Sequence, residues 1–287
     1  MKKSIAALLA AAMIAALTAG CGKTAEPAAS TNESSSTASA AATADEAKTD
    51  GKTFTVGFDA EFPPYGYQDD NGEYVGFDLD LAAEVCDRNG WTLVKKPIDW
   101  DSKDLELGSG TIDCIWNGFT INGREDAYTW TTAYVDNSQV FVVGADSGIT
   151  SKLDLEGKTV AVQADSSALA ALTDEEDNEE NLALAKSFAE LIEVADYNTA
   201  FMNLEAGAVD AIAMDIGVAK YQLESRGGEF VILDDVLAAE EYGVGFKLGN
   251  TELRDTVQKT LDEMAEDGKF MEIAKKWKLE DSVVLGK

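Results

Sequence analysis

The chain has 287 residues, 45% of them apolar, which is enough for one large core or two moderate ones, and its length favours two lobes. Acidic residues outnumber basic ones by 53 to 23, and the net charge of -30 disfavours binding to nucleic acid or anionic lipid. The sequence contains no histidine, which excludes Ser-His-Asp and Cys-His catalysis and zinc sites built on histidine. No other spacing of metal ligands is present, and we expect neither a metal nor a cofactor.

The first twenty residues have the features of a targeting segment. Lys2 and Lys3 precede an apolar run over residues 5–17 that is too short to span a bilayer comfortably. The run ends in small residues before Cys21, a pattern that resembles a bacterial lipoprotein signal. We therefore predict a signal peptide at residues 1–20 and a lipid on Cys21 that anchors the protein outside the cell membrane. The alternatives are an ordinary secretory peptide that is cleaved near Ala19 and an uncleaved anchor.

Residues 21–51 are predicted to form a disordered tether, because residues 22–50 contain no large apolar side chain to offset the entropy of ordering. Two more cysteines follow in the folded body. Cys86 falls on the apolar face of a predicted helix and Cys114 in a predicted strand, and we expect both to be free thiols in the core. A disulfide between them is the alternative.

The folded body begins near Lys52 with an alternating strand that ends at Asp59. The next loop carries Phe62, followed by two prolines that hold aromatic side chains in place. Asp78 is the predicted N-cap of a helix with a buried apolar stripe. Further strands are predicted at residues 91–97 and before Asn117. Strands and helices thus alternate, as is typical of a parallel sheet.

Ligands of such sheets bind beyond the carboxyl ends of the strands. In the first half of the chain, those ends carry Asp59, Trp100 and the segment from Asn117 to Arg124. The planar guanidinium of Arg124 is suited to a carboxylate. Trp100 and Phe119 are equally suited to the wall of a ligand site and to the core.

A second alternating series follows. A strand at residues 159–162 leads to Ser166 and Ser167, which are suited to capping a helix and whose backbone N–H groups are suited to a carboxylate. A later buried strand ends at Asp215, which suits either a bound cation or the cap of the next helix. The chain then returns to the first lobe. The predicted lobes are residues 52–138 with 242–287, and 139–241.

These segments resemble, in order, the polar amino-acid-binding proteins of bacterial ABC importers, which are extracellular solute-binding proteins of family 3. The resemblance spans roughly residues 52–280 and rests on Val56-Gly57-Phe58-Asp59, Phe62-Pro63-Pro64-Tyr65, Gly76 to Leu81, Gly118-Phe119-Thr120, Arg124, Gly157-Lys158, Val162 to Ser167 and Gly207 to Asp215. It implies an α/β, two-lobed periplasmic-binding-protein-like fold of type II. Each lobe would be a mostly parallel sheet flanked by helices, with the ligand in the cleft between the lobes.

The same resemblance implies a role for each site residue. Arg124 would pair with the α-carboxylate of the ligand, helped by Thr120 and a backbone N–H near Ser167. Asp215 would bind the α-ammonium together with the carbonyl of Gly118. The remaining predicted site residues are Asn117, Ser166, the walls Phe62, Trp100 and Phe119, and either Asp59 or Glu61 near the ligand's side chain.

The implied function is capture of a free polar amino acid by hinge closure and its delivery to the transmembrane subunits of an ABC permease. We expect a monomer without enzymatic activity. Two alternatives remain: a dehydratase of prephenate-like acids on the same fold, and a signalling module that presents its ligand to a membrane receptor. The sequence leaves open whether the ligand is a basic amino acid, another polar one or cystine.

Two positions depart from the family pattern. The spacing from Thr120 to Arg124 is one residue shorter than usual, which predicts a different loop geometry. Asp165 stands where glycine is common, which predicts a different backbone and charge before the paired serines.

Overall fold

The computed structural model describes residues 51–174 and 178–286, and the predicted signal peptide, Cys21 and residues 22–50 of the tether lie outside them. The first part of the folded body contains β1 (Thr53–Phe58), β2 (Glu61–Phe62), β3 (Gly66–Gln68), β4 (Tyr74–Val75), α1 (Phe77–Asn89), β5 (Thr92–Pro97), α2 (Lys103–Ser109), β6 (Cys114–Ile115) and β7 (Tyr128–Trp130). The middle part contains β8 (Val135–Gly144), β9 (Thr159–Gln163), α3 (Ser167–Thr173), α4 (Glu179–Ser187), β10 (Glu190–Val194), α5 (Tyr197–Glu205), β11 (Ala211–Asp215), α6 (Ile216–Arg226) and β12 (Phe230–Tyr242). The last part contains β13 (Gly245–Lys247), α7 (Thr251–Glu266) and α8 (Lys269–Lys276).

The first lobe is built on a five-stranded sheet in the order β5-β1-β6-β13-β7. Strands β5, β1 and β6 run parallel, whereas β13 is antiparallel to both of its neighbours. Phe54, Val56 and Phe58 of β1 are fully buried, as the alternation in the sequence predicts. The apolar stripe of α1 is buried with them in one core.

The second lobe is built on a sheet in the order β10-β9-β11-β8-β12. Strands β10, β9 and β11 run parallel, and β8 lies antiparallel between β11 and β12. Four strands of each sheet therefore run in one direction and a single strand, β13 or β8, runs in the other. In each sheet, the carboxyl ends of the parallel strands lie on one edge, which is where polar residues collect.

Two long antiparallel strands, β8 and β12, continue from the second sheet to the first lobe. They pair from Gly144 and Phe230 at one end to Val135 and Tyr242 at the other. At that end Tyr242 also bridges to Thr120, in the first lobe. A two-stranded connection of this kind is suited to hinge bending. The lobe limits at residues 138/139 and 241/242 fall in this region and stay a prediction.

The buried cysteines and the start of α1 test two further expectations. Cys86 and Cys114 are free and buried, which confirms the expected core thiols. The predicted N-cap was wrong: α1 begins at Phe77 after Gly76, and no side chain caps it. Asp78 lies in the first helical turn and its carboxylate reaches the backbone of Gly118 instead. Within the two described ranges, no helix is both long and apolar enough to cross a membrane.

Candidate functional site

One small cavity lies between the two lobes, at the carboxyl ends of the parallel strands. Its volume is about 10 Å³, close to that of a single water molecule. The residues that line it are Phe62, Trp100, Gly118, Thr120, Arg124, Gln163, Ser166, Ser167 and Asp215. Most of the residues predicted from the sequence are therefore brought together, and those outside this lining are Asp59, Asn117 and Phe119.

Arg124 reaches the cavity from the first lobe in spite of the shortened loop. Its guanidinium donates to the carbonyl of Thr120 at 3.3 Å and, across the cleft, to the carbonyl of Asp165 at 3.3 Å. The same guanidinium lies 5.3 Å from the centre of the Phe119 ring. Phe119 is thus a buried support beneath Arg124 and not part of the cavity wall, because it packs with Trp100, Tyr128 and Trp130.

Gly118 is held in place by a buried carboxylate that the sequence did not reveal as a site residue. Its backbone N–H donates to Asp78 at 2.6 Å, and its φ of 57° lies in the left-handed region. A Cβ at this position would lie 2.8 Å from the Phe62 ring and 3.0 Å from the Tyr242 ring. Burial raises the pKa of Asp78 to about 7, and the bond from Gly118 opposes that increase.

Ser166 and Ser167 lie where α3 begins. Ser166 accepts a hydrogen bond from the N–H of Leu169 at 3.2 Å, which confirms the predicted cap. The hydroxyl of Ser167 lies 3.2 Å from that of Thr120 and 2.9 Å from the amide of Gln139. Since Thr120 belongs to the first lobe, Ser167 forms a direct contact across the cleft.

Asp215 ends β11 and is 4% exposed. Its side chain does not cap α6, so the capping alternative was wrong. The carboxyl accepts hydrogen bonds from Asn137, Gln139, Tyr197 and Tyr242. Burial and the nearby charge of Glu240 raise its pKa far above the usual range of an aspartate.

Glu240 is a second buried acid beside Asp215, and sequence reasoning missed it. It is 5% exposed, and its carboxylate accepts hydrogen bonds from Asn137 at 2.6 Å, Gln139 at 2.8 Å and Thr120 at 3.1 Å. The sequence contained a usable signal. Side chains alternate along a strand, so Glu240 shares a face with Tyr242, whereas Glu241 points to the other side and is exposed.

Asp59 lies at the edge of the cavity, between the lobes. It accepts hydrogen bonds from the backbone of Glu61 at 2.8 Å and from Gln163 of the second lobe at 2.7 Å. Burial raises its pKa to about 6. Asn117 does not line the cavity but supports Asp59. Its side-chain oxygen accepts a hydrogen bond from the backbone N–H of Asp59 at 2.9 Å.

Asp59 also lines a larger cavity of about 660 Å³ beside the first one. Trp100 forms part of its wall, and the lining includes the further acidic residues Glu61, Asp99, Asp101, Glu106 and Asp196. Glu61 and Asn198 form a hydrogen bond across the cleft. The outer part of the cleft is therefore acidic and aromatic, which suits a polar or cationic group.

Asp165, the residue in place of the usual glycine, forms an ion pair across the cleft with Lys103. Lys103 is 1% exposed, and burial lowers its pKa. Asp165 has a φ of 55°, in the left-handed region where aspartate is tolerated better than most residues. The predicted difference in charge at this position is thus present. The difference in backbone stays a prediction, because glycine also adopts a left-handed φ readily.

Comparison with known proteins places this geometry in a family. The model for bacterial extracellular solute-binding proteins, family 3, matches residues 54–280. The chain belongs to this family. The matched segment contains both lobes and every residue that lines the cavity.

Individual relatives of family 3 support the same assignment. The L-cystine-binding protein TcyA of Bacillus subtilis (strain 168) is 31% identical over 284 residues, which cover 98% of this chain and 99% of that protein. A crystal structure of an ABC uptake transporter substrate binding protein from Streptococcus pneumoniae with bound histidine aligns at a TM-score of 0.75. Its sequence identity is 35%, over 81% of this chain and 94% of that one.

One family 3 neighbour bears on catalysis. The crystal structure of AncCDT-1, an ancestral amino-acid-binding protein described as a precursor of cyclohexadienyl dehydratase, aligns at a TM-score of 0.70 with 27% identity. The alignment covers 78% of this chain and 95% of that one.

Proposed function

We propose that this protein is the extracytoplasmic substrate-binding component of an amino acid ABC importer, which captures a free polar amino acid between its lobes. The observation that carries the proposal is a pair of opposite charges at one cavity. Arg124 supplies a guanidinium from the first lobe, and Asp215 supplies a carboxylate from the second. A free amino acid carries the two complementary charges, and both must be neutralised when water is excluded.

The roles of the site residues follow from this complementarity. The α-carboxylate of the ligand pairs with Arg124, assisted by Thr120 and a backbone N–H near Ser167. The α-ammonium binds Asp215 and the carbonyl of Gly118. Phe62 and Trp100 form the walls, and Asp59 lies near the ligand's side chain in the outer, acidic part of the cleft. This part suits polar side chains, including those of basic amino acids and cystine.

Capture requires a hinge motion. The cavity holds about 10 Å³, so an amino acid enters only after the lobes separate along β8 and β12. One bound ligand then contacts both lobes, which gives it a higher affinity for the closed state than for the open one and drives closure. The closed form is the state that a permease would recognise.

The cellular arrangement completes the proposal. A lipid on Cys21 would anchor the protein at the outer face of the cell membrane, and residues 22–51 would connect the anchor to the lobes. The lobes would comprise residues 52–138 with 242–287, and residues 139–241. We infer that a monomer delivers the amino acid to the transmembrane subunits of the permease and carries out no reaction on it.

A thermal-shift screen of the protein against the twenty amino acids and cystine tests the proposal. At a ligand concentration of 1,000 Kd, mass action raises the free energy of unfolding by about 4 kcal/mol. The amide of the best ligand lacks the carboxylate, and its deaminated analogue lacks the ammonium, so neither should raise the melting temperature. A melting temperature that none of the amino acids changes would reject the proposal.

A dehydratase is the second candidate, because AncCDT-1, itself an amino-acid-binding protein, is described as a precursor of cyclohexadienyl dehydratase. The absence of histidine removes the commonest general base at neutral pH. Incubation with a prephenate-like acid distinguishes the two functions, because a dehydratase forms an aromatic product and a binding protein leaves the acid unchanged.

A further inference from the structure

The two buried acids at the ammonium end of the site share their hydrogen-bond donors. The side-chain amide nitrogen of Asn137 lies 3.0 Å from Asp215 Oδ1 and 2.6 Å from Glu240 Oε1. The side-chain amide nitrogen of Gln139 lies 2.8 Å from each of the same two oxygens. Two common donors therefore hold the oxygens of Asp215 and Glu240 close together, in a region where both side chains are buried.

A hydrogen bond between two carboxyl groups requires a proton on one of them, because ionised carboxylates are acceptors only. One of the two shared donors also has more acceptors than hydrogens. The amide nitrogen of Gln139 has two hydrogens but three acceptors within 2.9 Å, namely Asp215, Glu240 and Ser167. A proton between the two acids supplies the missing donor and removes the repulsion of two buried charges.

We propose that Asp215 and Glu240 share one proton in the ligand-free protein and release it to solvent when the ammonium group of an amino acid binds. Glu240 is then a second ligand-directed acid of the site, and the pair as a unit holds the proton when no ammonium is present. This inference rests on the proposed function for the identity of the incoming cation. The shared proton itself is a property of the ligand-free protein.

The other charged and titratable groups around the pair are compatible with this exchange. Tyr197 of α5, Tyr242 of β12 and Tyr65 of the loop before α1 are fully buried, and burial raises the pKa of each well above 10, so they stay neutral. Strand β8 contributes only amides, from Asn137 and Gln139. The first lobe contributes the hydroxyl of Thr120 and, across the cavity, the guanidinium of Arg124.

The ammonium changes the balance within the pair. It brings one positive charge to the cavity that Asp215 lines, and this charge favours ionisation of both acids. The total charge of the pair plus the ammonium is then −1, the same as that of the singly protonated pair alone. Binding therefore replaces a proton by an ammonium group without adding a net charge to the buried site.

Infrared spectroscopy of the ligand-free protein at neutral pH tests the shared proton directly. Glu240→Gln keeps the length and the acceptor oxygen of the side chain but leaves Asp215 as the only acid of the pair. The band of one protonated carboxyl should therefore be absent from the spectrum of the variant and should appear in the difference between the unaltered and variant spectra. Asp78 contributes to both spectra, and its band cancels. Glu241→Gln, which changes the exposed neighbouring acid, is the matched control and should leave the band in place.

Calorimetry of the unaltered protein with L-arginine and with L-cystine tests the exchange, because neither probe changes its own ionisation greatly between pH 5.5 and 7. Titrations in buffers with different ionisation enthalpies should report about one proton released for each ligand bound, and the affinity should rise up to tenfold for each pH unit. In Glu240→Gln the release should fall to nearly zero.

The possible results distinguish a failure of the shared-proton proposal from a failure of the proposed function. A wild-type spectrum without the carboxyl band, or a band that Glu240→Gln retains, overturns the shared proton. Binding without proton release overturns the exchange while leaving the proposed function intact. If the band is present but no amino acid binds, the pair shares a proton as inferred and the proposed function is wrong.

Discussion

The two ends of the candidate site differ in how they would bind the two charges of an amino acid. At the carboxylate end, Arg124 contacts backbone carbonyls, and it forms no ion pair within residues 51–174 and 178–286. At the ammonium end, Asp215 and Glu240 stand together among five neutral side-chain donors. The carboxylate end thus relies on the single charge of Arg124. The ammonium end has two acids, and Glu240 can replace Asp215 as the partner of the ammonium.

The comparison predicts the largest loss for Arg124→Ala. No second cation lines the cavity, so the α-carboxylate of a bound amino acid would be buried without a partner. Removing one partner of a buried ion pair costs about 2–5 kcal/mol of binding free energy, which corresponds to an increase in Kd of roughly 30-fold to several thousand-fold. Isothermal titration calorimetry measures it.

Arg88→Ala is the matched control for this change, because Arg88 pairs with Glu84 and Asp267 on the surface of the first lobe. Its Kd should equal that of the unaltered protein. Equal Kd values for the Arg124 variant and the unaltered protein would remove Arg124 from the site.

Asp215→Asn should have a smaller effect, about 1–3 kcal/mol, because Glu240 remains as a buried carboxylate beside the ammonium. The double variant Asp215→Asn with Glu240→Gln should lose as much affinity as Arg124→Ala. Calorimetry of the two single variants and the double variant gives the coupling between the acids. Additive losses would show that the acids act independently and would contradict the proposed asymmetry.

A third buried acid, Asp78, holds the loop at Gly118 in place, next to the carboxylate end of the site. Its pKa in the folded protein, about 7, lies above the ordinary value of 3.8. Between pH 3.8 and pH 7, folding is therefore coupled to the uptake of a proton by Asp78. The contribution of Asp78 thus makes the protein less stable as the pH rises from 4 to 7, and the loss is complete above pH 7. Asp215, whose pKa is also raised by burial and by the nearby charge of Glu240, adds a change in the same direction.

Asp78→Asn keeps an acceptor for the N–H of Gly118 but cannot ionise. Urea unfolding at pH 5 and pH 8 should therefore show a smaller decrease in stability in this variant than in the unaltered protein, by about 2–3 kcal/mol. Asp80→Asn, on the outer side of the same helix, is the control. An unchanged pH dependence in Asp78→Asn would show that Asp78 is ionised in the folded protein throughout this range.

The sequence predicted the parts of this molecule that depend on local pattern. Alternation identified β1, and positions at strand ends identified Thr120 and Arg124 in the first lobe. That Ser167 and Asp215 of the second lobe meet them at one ligand was implied by the resemblance to family 3. Gly118 could be predicted as a contact point, but not its support, because Asp78 lies forty residues away and helical spacing alone made it a plausible cap.

The residues that the sequence did not reveal act through partners that are distant in the chain. Glu240 is separated from Thr120 by 120 residues, and Gln163 from Asp59 by 104. Among the 53 acidic residues of the chain, strand alternation shows that Glu240 shares a face with Tyr242, but not that this face is buried at the site. Only the pairing of β8 with β12 and the closure of the lobes bring these groups to the site.

The smallest predicted effect concerns the ion pair between Asp165 and Lys103. A glycine, which is common in the family at position 165, could not form it. Asp165 pairs with Lys103 across the cleft, but the carboxylate side of the pair is 52% exposed, so solvent screens much of the attraction. Asp165→Asn tolerates the same left-handed backbone and removes only the charge. It should reduce the affinity about two- to fivefold, through faster dissociation, because the closed form loses about 0.5–1 kcal/mol.

Stopped-flow measurement of ligand dissociation tests this effect, with Asp210→Asn as the control, since Asp210 pairs with Lys158 on the surface of the second lobe. The ion pair of Asp165 and Lys103 differs from both ends of the ligand site, because both of its charges belong to the protein and it forms without the ligand. If Asp165→Asn slows dissociation instead, the ion pair opposes closure, and the buried ammonium of Lys103 must be satisfied by the carbonyls of Trp100 and Asp165 alone.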